Sequence, residues 1–484
     1  MSISSSLSNA LSGLTAAARM ADVVASNTAN AMTEGYARRE LELASQSMGG
    51  TGAGVRVVGV NRITNEVVLQ DRRLSDAAVS NAEIRSDFLS RLEGRIGNSD
   101  DPQSLSARFA AFESALIEAS SRPDSASRLA SVLESARSIV TQVNSLDREL
   151  STIRGEADQS IGAQVKRLNE SLAQVDELNA VILAQRSSGR DATALMDQRQ
   201  ALVDEIAQIV PVRQVNRDHD QISLFTTGGA ILLEGNAAVI GFDTVGVITA
   251  DMTQASGALS GLTLNGMPIS SADDGVLGGG ALGALFAIRD ELAPSAQGQI
   301  DAVARDLIER FSDSSIDPTI PPGAPGLFTD NGGALDPLLE VGLAGRLQLN
   351  ASVDPLQGGE AWRLRDGLGA VTEGVSGNAD ILNGMISALS QDRLPSSGEF
   401  SGGPFSASSL VGHLASQVAG DRLSAETREA YALSRQESLT QLSLADGVDT
   451  DHEMQMLLKV EQAYAANARV IQTIDALISQ MLEL

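Results

Sequence analysis

The chain contains no cysteine, which excludes disulfides, thiolate catalysis and thiolate-held metals. Aromatic residues make up only 3% of it, with a single tryptophan, Trp362. Cores must then be built mainly from Leu, Ile, Val and Ala, which suits closely approaching helices better than a wide aromatic pocket. Three histidines, His219, His413 and His452, lie far apart. His452-Glu453 lacks the second histidine of a zinc-protease pair. No run approaches the about 18 apolar residues of a membrane span, and the start lacks the basic-then-apolar order of a secretory signal. An excess of basic residues is missing as well. The formal charge of −27 is spread along the chain and repels nucleic acid and anionic lipid.

What is present is 484 residues, 43% of them hydrophobic and 20% charged, enough for about two to four domains with sizeable cores. The clearest pattern stands at the beginning. Ile3, Leu7, Ala10, Leu14, Ala17, Ala21 and Val24 recur at alternating spacings of four and three. That is the heptad period, which keeps one seam facing a partner helix. Leu11, Ala18 and Ala25 widen the stripe. At the other end Leu457, Val460, Tyr464, Asn467, Ile471, Ile474, Ile478 and Met481 repeat the spacing. A lone asparagine in such a seam lowers stability but sets register. Met454, Leu458, Val470 and Leu477 form a second row beside it. A helix apolar over that much of its circumference needs more than one partner. Two helices of about 45 Å can pair and still leave apolar surface for neighbouring subunits.

Between these ends, Thr33-Glu34-Gly35-Tyr36 reads as a helix stop with Gly35 at positive φ. Gly49, Gly50, Gly52 and Gly54 read as a loop, and residues 55–60 as a strand. Residues 73–208 are helical. Val132, Ala136, Ile139, Val143, Leu146, Leu150 and Ile153 keep the heptad, as do Ile161, Val165, Leu168, Leu172 and Val175. Gly155 and Gly162 are expected to break or bend this run. Composition shifts at Pro211, and residues 212–233 alternate as strands with a turn at Gly228-Gly229. Further helices are expected over residues 281–311, 380–389 and 410–445. The fold class is mainly α with a β-rich insertion, an α+β multidomain chain. Its expected parts are a terminal-helix coiled coil (1–45 with 450–484), a long helical bundle (46–210 with 276–449) and a small β domain (211–275).

A catalytic constellation is not found, so the chain reads as a non-enzyme with no cofactor and no metal. Gly278, Gly280 and Gly283 match a dinucleotide fingerprint by count, but no apolar parallel strand leads into them and a flexible junction explains them. Asp449 and Asp451 lack the remaining positions of a calcium loop, and Asp449 reads as the cap of the last helix.

Both ends carry a further signal. Asn27-Thr28-Ala29-Asn30 with Gly35-Tyr36 resembles the N-terminal signature of bacterial flagellar axial proteins, the rod, hook and hook-associated subunits. Gly447-Val448-Asp449, Glu453 and the run Gln462-Ala463-Tyr464-Ala465-Ala466-Asn467-Ala468-Arg469 resemble their C-terminal signature. The middle, around Gly283 to Asp290, residues 299–311, Pro325-Gly326-Leu327-Phe328 and residues 345–350, is similar to the branch that joins hook to filament. The family usually has Asn at Met32 and Pro at Glu34, implying a different turn before Gly35. The short insertion implies no additional outer domain. The resemblance implies a structural subunit in a ring of its own copies, between hook protein and a second hook-filament junction protein. It further implies export through the flagellar type III channel to an extracellular site, with a chaperone on the C-terminal helix. Within the same resemblance stand the alternatives of a hook protein or second junction protein, and outside it a secreted adhesin.

Overall fold

A computed structural model describes residues 3–33, 35–48, 51–98 and 100–482. Glu34, Gly49 and Gly50, named above, lie outside the described residues. Helix α1 (Ile3–Ala29) leads into a long antiparallel hairpin, β1 (Arg38–Met48) and β2 (Thr51–Ile63). The helices α2 (Glu66–Ile96), α3 (Leu105–Ser121), α4 (Ala126–Ser187) and α5 (Thr193–Ile209) follow. Asn65 and Ser104 cap the first two of these, their side chains accepting from Val68 N at 3.3 Å and Ala107 N at 3.1 Å.

The hairpin corrects the sequence reading. Gly52 and Gly54 belong to β2 rather than to a loop, and β1 went unforeseen. Gly54 takes φ of 95°, and a Cβ there would stand 2.1 Å from Ser12 Oγ of α1. Its missing side chain therefore lets the hairpin lie directly on the first helix. Gly155 and Gly162 likewise make no break, for α4 runs uninterrupted over 62 residues, about 93 Å at the standard rise. Gly162 instead admits Thr244, whose Cγ2 would be 2.5 Å from an added Cβ. The twelve heptad residues of α4 named above are all buried.

Short strands follow: β3 (Val212–Asn216), β4 (Ile222–Thr226), β5 (Ile231–Glu234) and β6 (Asn236–Ala237) form one antiparallel sheet. A second comprises β7 (Ile240–Gly241), β8 (Leu262–Leu264) and β9 (Met267–Ile269). Gly229 in the β4–β5 turn has φ of 91°. These strands share one continuous apolar core with α4 and α5, in which Leu224, Leu232 and Leu262 join Leu168 and Val203.

Next, α6 (Gly280–Ala287) passes through a π turn at Ile288–Leu292 into α7 (Ala293–Phe311). The glycines at the start of α6 form a tight junction rather than a flexible one. A Cβ on Gly278 would lie 2.0 Å from Asp273 O, and one on Gly280 2.4 Å from Ile209 O. Small elements fill the next stretch: β10 (Phe328–Asp330), α8 (Leu343–Arg346), β11 (Leu347–Leu349) and α9 (Arg363–Asp366). Phe328 meets Phe311 and Phe112 with ring centroids 5.2 and 5.9 Å apart. Helices α10 (Asp380–Ser390), α11 (Ala407–Ala445) and α12 (Thr450–Leu482) end the chain. Asp449 caps α12, its Oδ1 accepting from Asp451 N at 2.9 Å and His452 N at 3.2 Å.

A buried polar node fixes the β segment to the helices. The π turn re-aims Arg289, fully buried, onto Asp158 of α4 at 2.7 Å. Arg289 also donates to Ser260 O at 2.8 Å, while Asp158 Oδ2 accepts from Val245 N at 2.6 Å. Arg154, one turn before Asp158, donates to the carbonyls of Arg289, Thr249 and Met252. Removing one member of such a pair strands the other charge without water, which costs about 3–5 kcal/mol. Arg289→Met should lower the unfolding free energy by that amount in a denaturant titration. Adding Asp158→Asn should recover a large part of it; an unchanged midpoint for Arg289→Met would contradict the assignment.

Candidate assembly interface

The two terminal helices run antiparallel as a clasp. Gly13 of α1 faces Asn467 of α12, where a Cβ would come within 2.8 Å of the amide. Asn467 Nδ2 itself donates to Ala463 O at 2.9 Å. At the other end, Tyr36 and Gly447 line one small cavity with Asp446 and Arg38. Ala10, Ala17, Val24, Val460 and Ile474 are buried, and Leu14, Ala21, Asn467 and Ile471 are half-buried. Ile3, Leu7, Leu457, Tyr464, Ile478 and Met481 stay exposed in the single chain. The small alanines let the helices approach closely at mid-length, and the seam opens toward its ends. Leu11, Ala18, Ala25, Met454, Leu458, Val470 and Leu477 are also exposed, an apolar strip that nothing among the described residues covers.

The N-terminal signature residues form the joint between clasp and body. Asn27 is 1% exposed and treats Arg39 as a strand would. Its Nδ2 donates to Arg39 O at 2.9 Å and its Oδ1 accepts from Arg39 N at 3.0 Å. The Tyr36 hydroxyl donates to the same Oδ1 at 2.9 Å, and the Arg39 guanidinium lies 4.8 Å over the Tyr36 ring. Gly35, with φ of 77°, makes the turn that returns the chain to this position. Asn30 Nδ2 donates to Ser26 O at 2.9 Å, closing the end of α1. Met32 is fully exposed and takes no part in the joint.

Asp197 of α5 then ties the hairpin to the body, accepting from Arg39 Nη2 at 2.9 Å and Arg62 Nε at 2.8 Å. Arg62 Nη2 also donates to Gln200 Oε1 at 2.7 Å. A similar contact about two turns on joins Arg73 of α2 to Asp204 at 2.6 Å. Burial lowers the pKa of both Arg62 and Arg73, and burial pushes the neighbouring Arg199 down to about 10. Asp197, Arg39 and Arg62 were not foreseen, since nothing in their spacing brings positions 39, 62 and 197 together.

Of the C-terminal signature, Gly447 makes the tight turn before α12, where a Cβ would lie 2.9 Å from Leu444 O. Val448 is half-buried, and Glu453 is buried in the first turn of α12, where the helix dipole favours an anion. Gln462, Ala463 and Arg469 point outward with the open strip. Among the described residues no group of three or more His, Asp or Glu is arranged to hold a metal ion, and no helix is long and apolar enough to cross a membrane.

The Asn27→Ala substitution deletes three hydrogen bonds and leaves the Arg39 amide without its acceptor, at about 1–3 kcal/mol. Faster amide exchange at Arg39, and quicker proteolytic nicking between residues 30 and 38, are expected while the body keeps its melting transition. Unchanged exchange there would show that the clip bears no load.

Comparison with known proteins supplies the context for this arrangement. The helical-domain model of flagellar hook-associated protein FlgK matches residues 89–315. The C-terminal model of the flagellar basal body rod FlgEFG proteins matches residues 445–484, so the two cover more than half of the chain. Flagellar hook-associated protein 1 of Bacillus subtilis is 22% identical over 98% of this chain and 97% of that protein. The protein of the same name from Salmonella typhimurium is 27% identical, over 49% of this chain and 44% of that protein. A solved structure, the flagellar hook junction protein FlgK from Burkholderia pseudomallei, aligns over 54% of this chain and 46% of that one, with TM-score 0.45 and 17% identity. With a helical-domain match across its body, a rod-type match at its last helix and an end-to-end relative, the chain belongs to the flagellar hook-associated protein 1 family.

Proposed function

We propose that the chain is a structural subunit of the hook–filament junction and forms a ring of copies through α1 and α12. The open apolar strip carries this reading. A helix pair that hides only part of its seam and leaves Leu11, Met454, Leu458, Val470 and Leu477 in water is incomplete by itself. Copies packed side by side would cover the strip and place the clasps on the inside of a tube. The body from α2 to α11 would then face outward as its wall. Asn467 against Gly13 admits one register of the clasp, because a shift by one turn would drive the amide into a side chain. Hook protein on one side and the second junction protein on the other are the neighbours that such a ring would require. An export chaperone would cover the same strip of α12 before assembly, and the channel of the flagellar type III apparatus would be the route out.

We read the chain as structural rather than catalytic, in keeping with relatives that are all named as hook-associated proteins. Electron microscopy of hooks incubated with the purified chain provides the direct test. A cap of density at the hook end that accepts the second junction protein is expected. Bare hook ends at saturating concentration would reject the reading. Ile474→Asp, which buries a charge within the clasp, should lower occupancy of hook ends at least tenfold; wild-type occupancy would show that this face is not a dry contact.

A further inference from the structure

Away from the terminal helices, two features of the body stand on opposite sides of α4. One is a ridge in the loop before α8. Leu338 is 92% exposed, and Leu339 and Val341 are exposed beside it. Asp336 caps this turn through Leu338 N at 3.0 Å, and Glu340 closes it. The ridge is held rigidly: Asp301 accepts from Gly342 N at 2.8 Å and Ala344 N at 2.7 Å, and Arg305 meets Glu340 at 2.6 Å. Two leucines fixed in water between acidic neighbours are costly to keep, and local packing does not require them.

The other feature is a groove of about 590 Å³ between α2 and α11. Its walls include Leu74, Ala77, Ala78, Ala425, Tyr431 and Ala432. At its rim stand Arg85, paired with Asp273 at 3.0 Å, and Arg428. Arg428 is exposed and has no hydrogen-bond or ion-pair partner among the described residues, although acidic residues outnumber basic ones 62 to 35 in the whole sequence. A free cation beside an apolar cleft matches a ridge of leucines that opens on Asp336, which has no ion-pair partner among the described residues, whereas Glu340 is held by Arg305.

The phase of α4 fixes their relative placement. Gln142, Glu149 and Glu156 contact Arg95 and Arg91 of α2. Asn144 bonds Ala344 O at 2.6 Å, and a Cβ on Gly345 would lie 2.4 Å from Asp147, on the side of the ridge. At 3.6 residues per turn the two sets are separated by roughly 180° around the helix. Helix α11 lies beyond α2, held by Arg422–Glu93 at 2.5 Å and Gln436–Asp76 at 2.7 Å. Helix α2 and the ridge therefore lie on opposite sides of α4, and ridge and groove, which share no lining residue, do not meet within one chain. A surface that offers a knob on one side and its hole on the other makes head-to-tail contacts that propagate around a ring.

We infer that the ridge at residues 336–341 of one copy docks in the α2–α11 groove of the next, forming a second contact between subunits outside the terminal helices. This rests on the ring proposed above and adds the surface by which neighbouring bodies recognise each other. Each copy carries a large negative charge, so bodies packed side by side repel unless local charges are matched, and Arg428 against Asp336 at the start of the ridge supplies such a match.

The absence of native cysteine makes the test clean. The full chain carrying Leu339→Cys together with Ala78→Cys is assembled on hook ends and treated with a short bismaleimide. A ladder of linked dimers, trimers and higher species is expected from the double variant, and none beyond a dimer from either single variant. Density at the hook end without a ladder would overturn the contact but leave the ring standing. Bare hook ends with the unmodified chain would remove both. Arg428→Glu should reduce the ladder at least fivefold and Asp336→Arg in the same chain should restore it; no change with Arg428→Glu would also count against the contact.

Discussion

A pair of helices can hide only one stripe of each partner. In this chain the stripe is narrowed further because alanine occupies most of the close positions of α1. Alanines bring the helix axes together at mid-length and leave the longer side chains, Leu7 and Tyr464 among them, with nothing to close over. The clasp is therefore wetted at both ends and along its outer side. The other parts follow from this shortage. The hairpin lies on α1 because Gly54 permits it, Asn27 fastens its base, and Asp197 anchors both to α5. The terminal segment is held to the body by hydrogen bonds and ion pairs, while its apolar surface remains available to other chains.

The body is stabilised differently. One continuous apolar core spans α2 through α11 and takes in the short strands, so the β segment behaves as a side of the bundle and not as a separate bead. Arg154, Arg289 and Asp158 show how its irregular loops are kept in place: buried cations gather loop carbonyls that lack partners in regular structure. Arginine suits this because its planar fork satisfies several carbonyls at once.

Periodicity made the helices legible. The heptads of α4 and of both termini, the shift at Pro211 and the cap at Asp449 all follow from local spacing. The two glycine clusters misled for a common reason. Gly52, Gly54, Gly155 and Gly162 read as breaks when only the chain's own conformation is considered, but Gly54 and Gly162 exist for another segment to approach. Such approach depends on partners distant in sequence, Ser12 and Thr244, and carries no local mark. The same applies to the joint. Asn27 was legible only through its likeness to a family signature, and Asp197 not at all, because the geometry that unites them is made by the whole fold.

Helix α4 has a mechanical meaning as well. A continuous rod of 62 residues without a hinge passes a force applied at one end to the other with little bending. Where the clasp meets the body, at Asn27, Arg39, Arg62 and Asp197, the contacts are polar instead. Ion pairs and hydrogen bonds at that place can separate and re-form without breaking the apolar core of the body. A stiff spar on a self-healing pivot would let one part of a turning shaft flex relative to another, cycle after cycle, without unfolding.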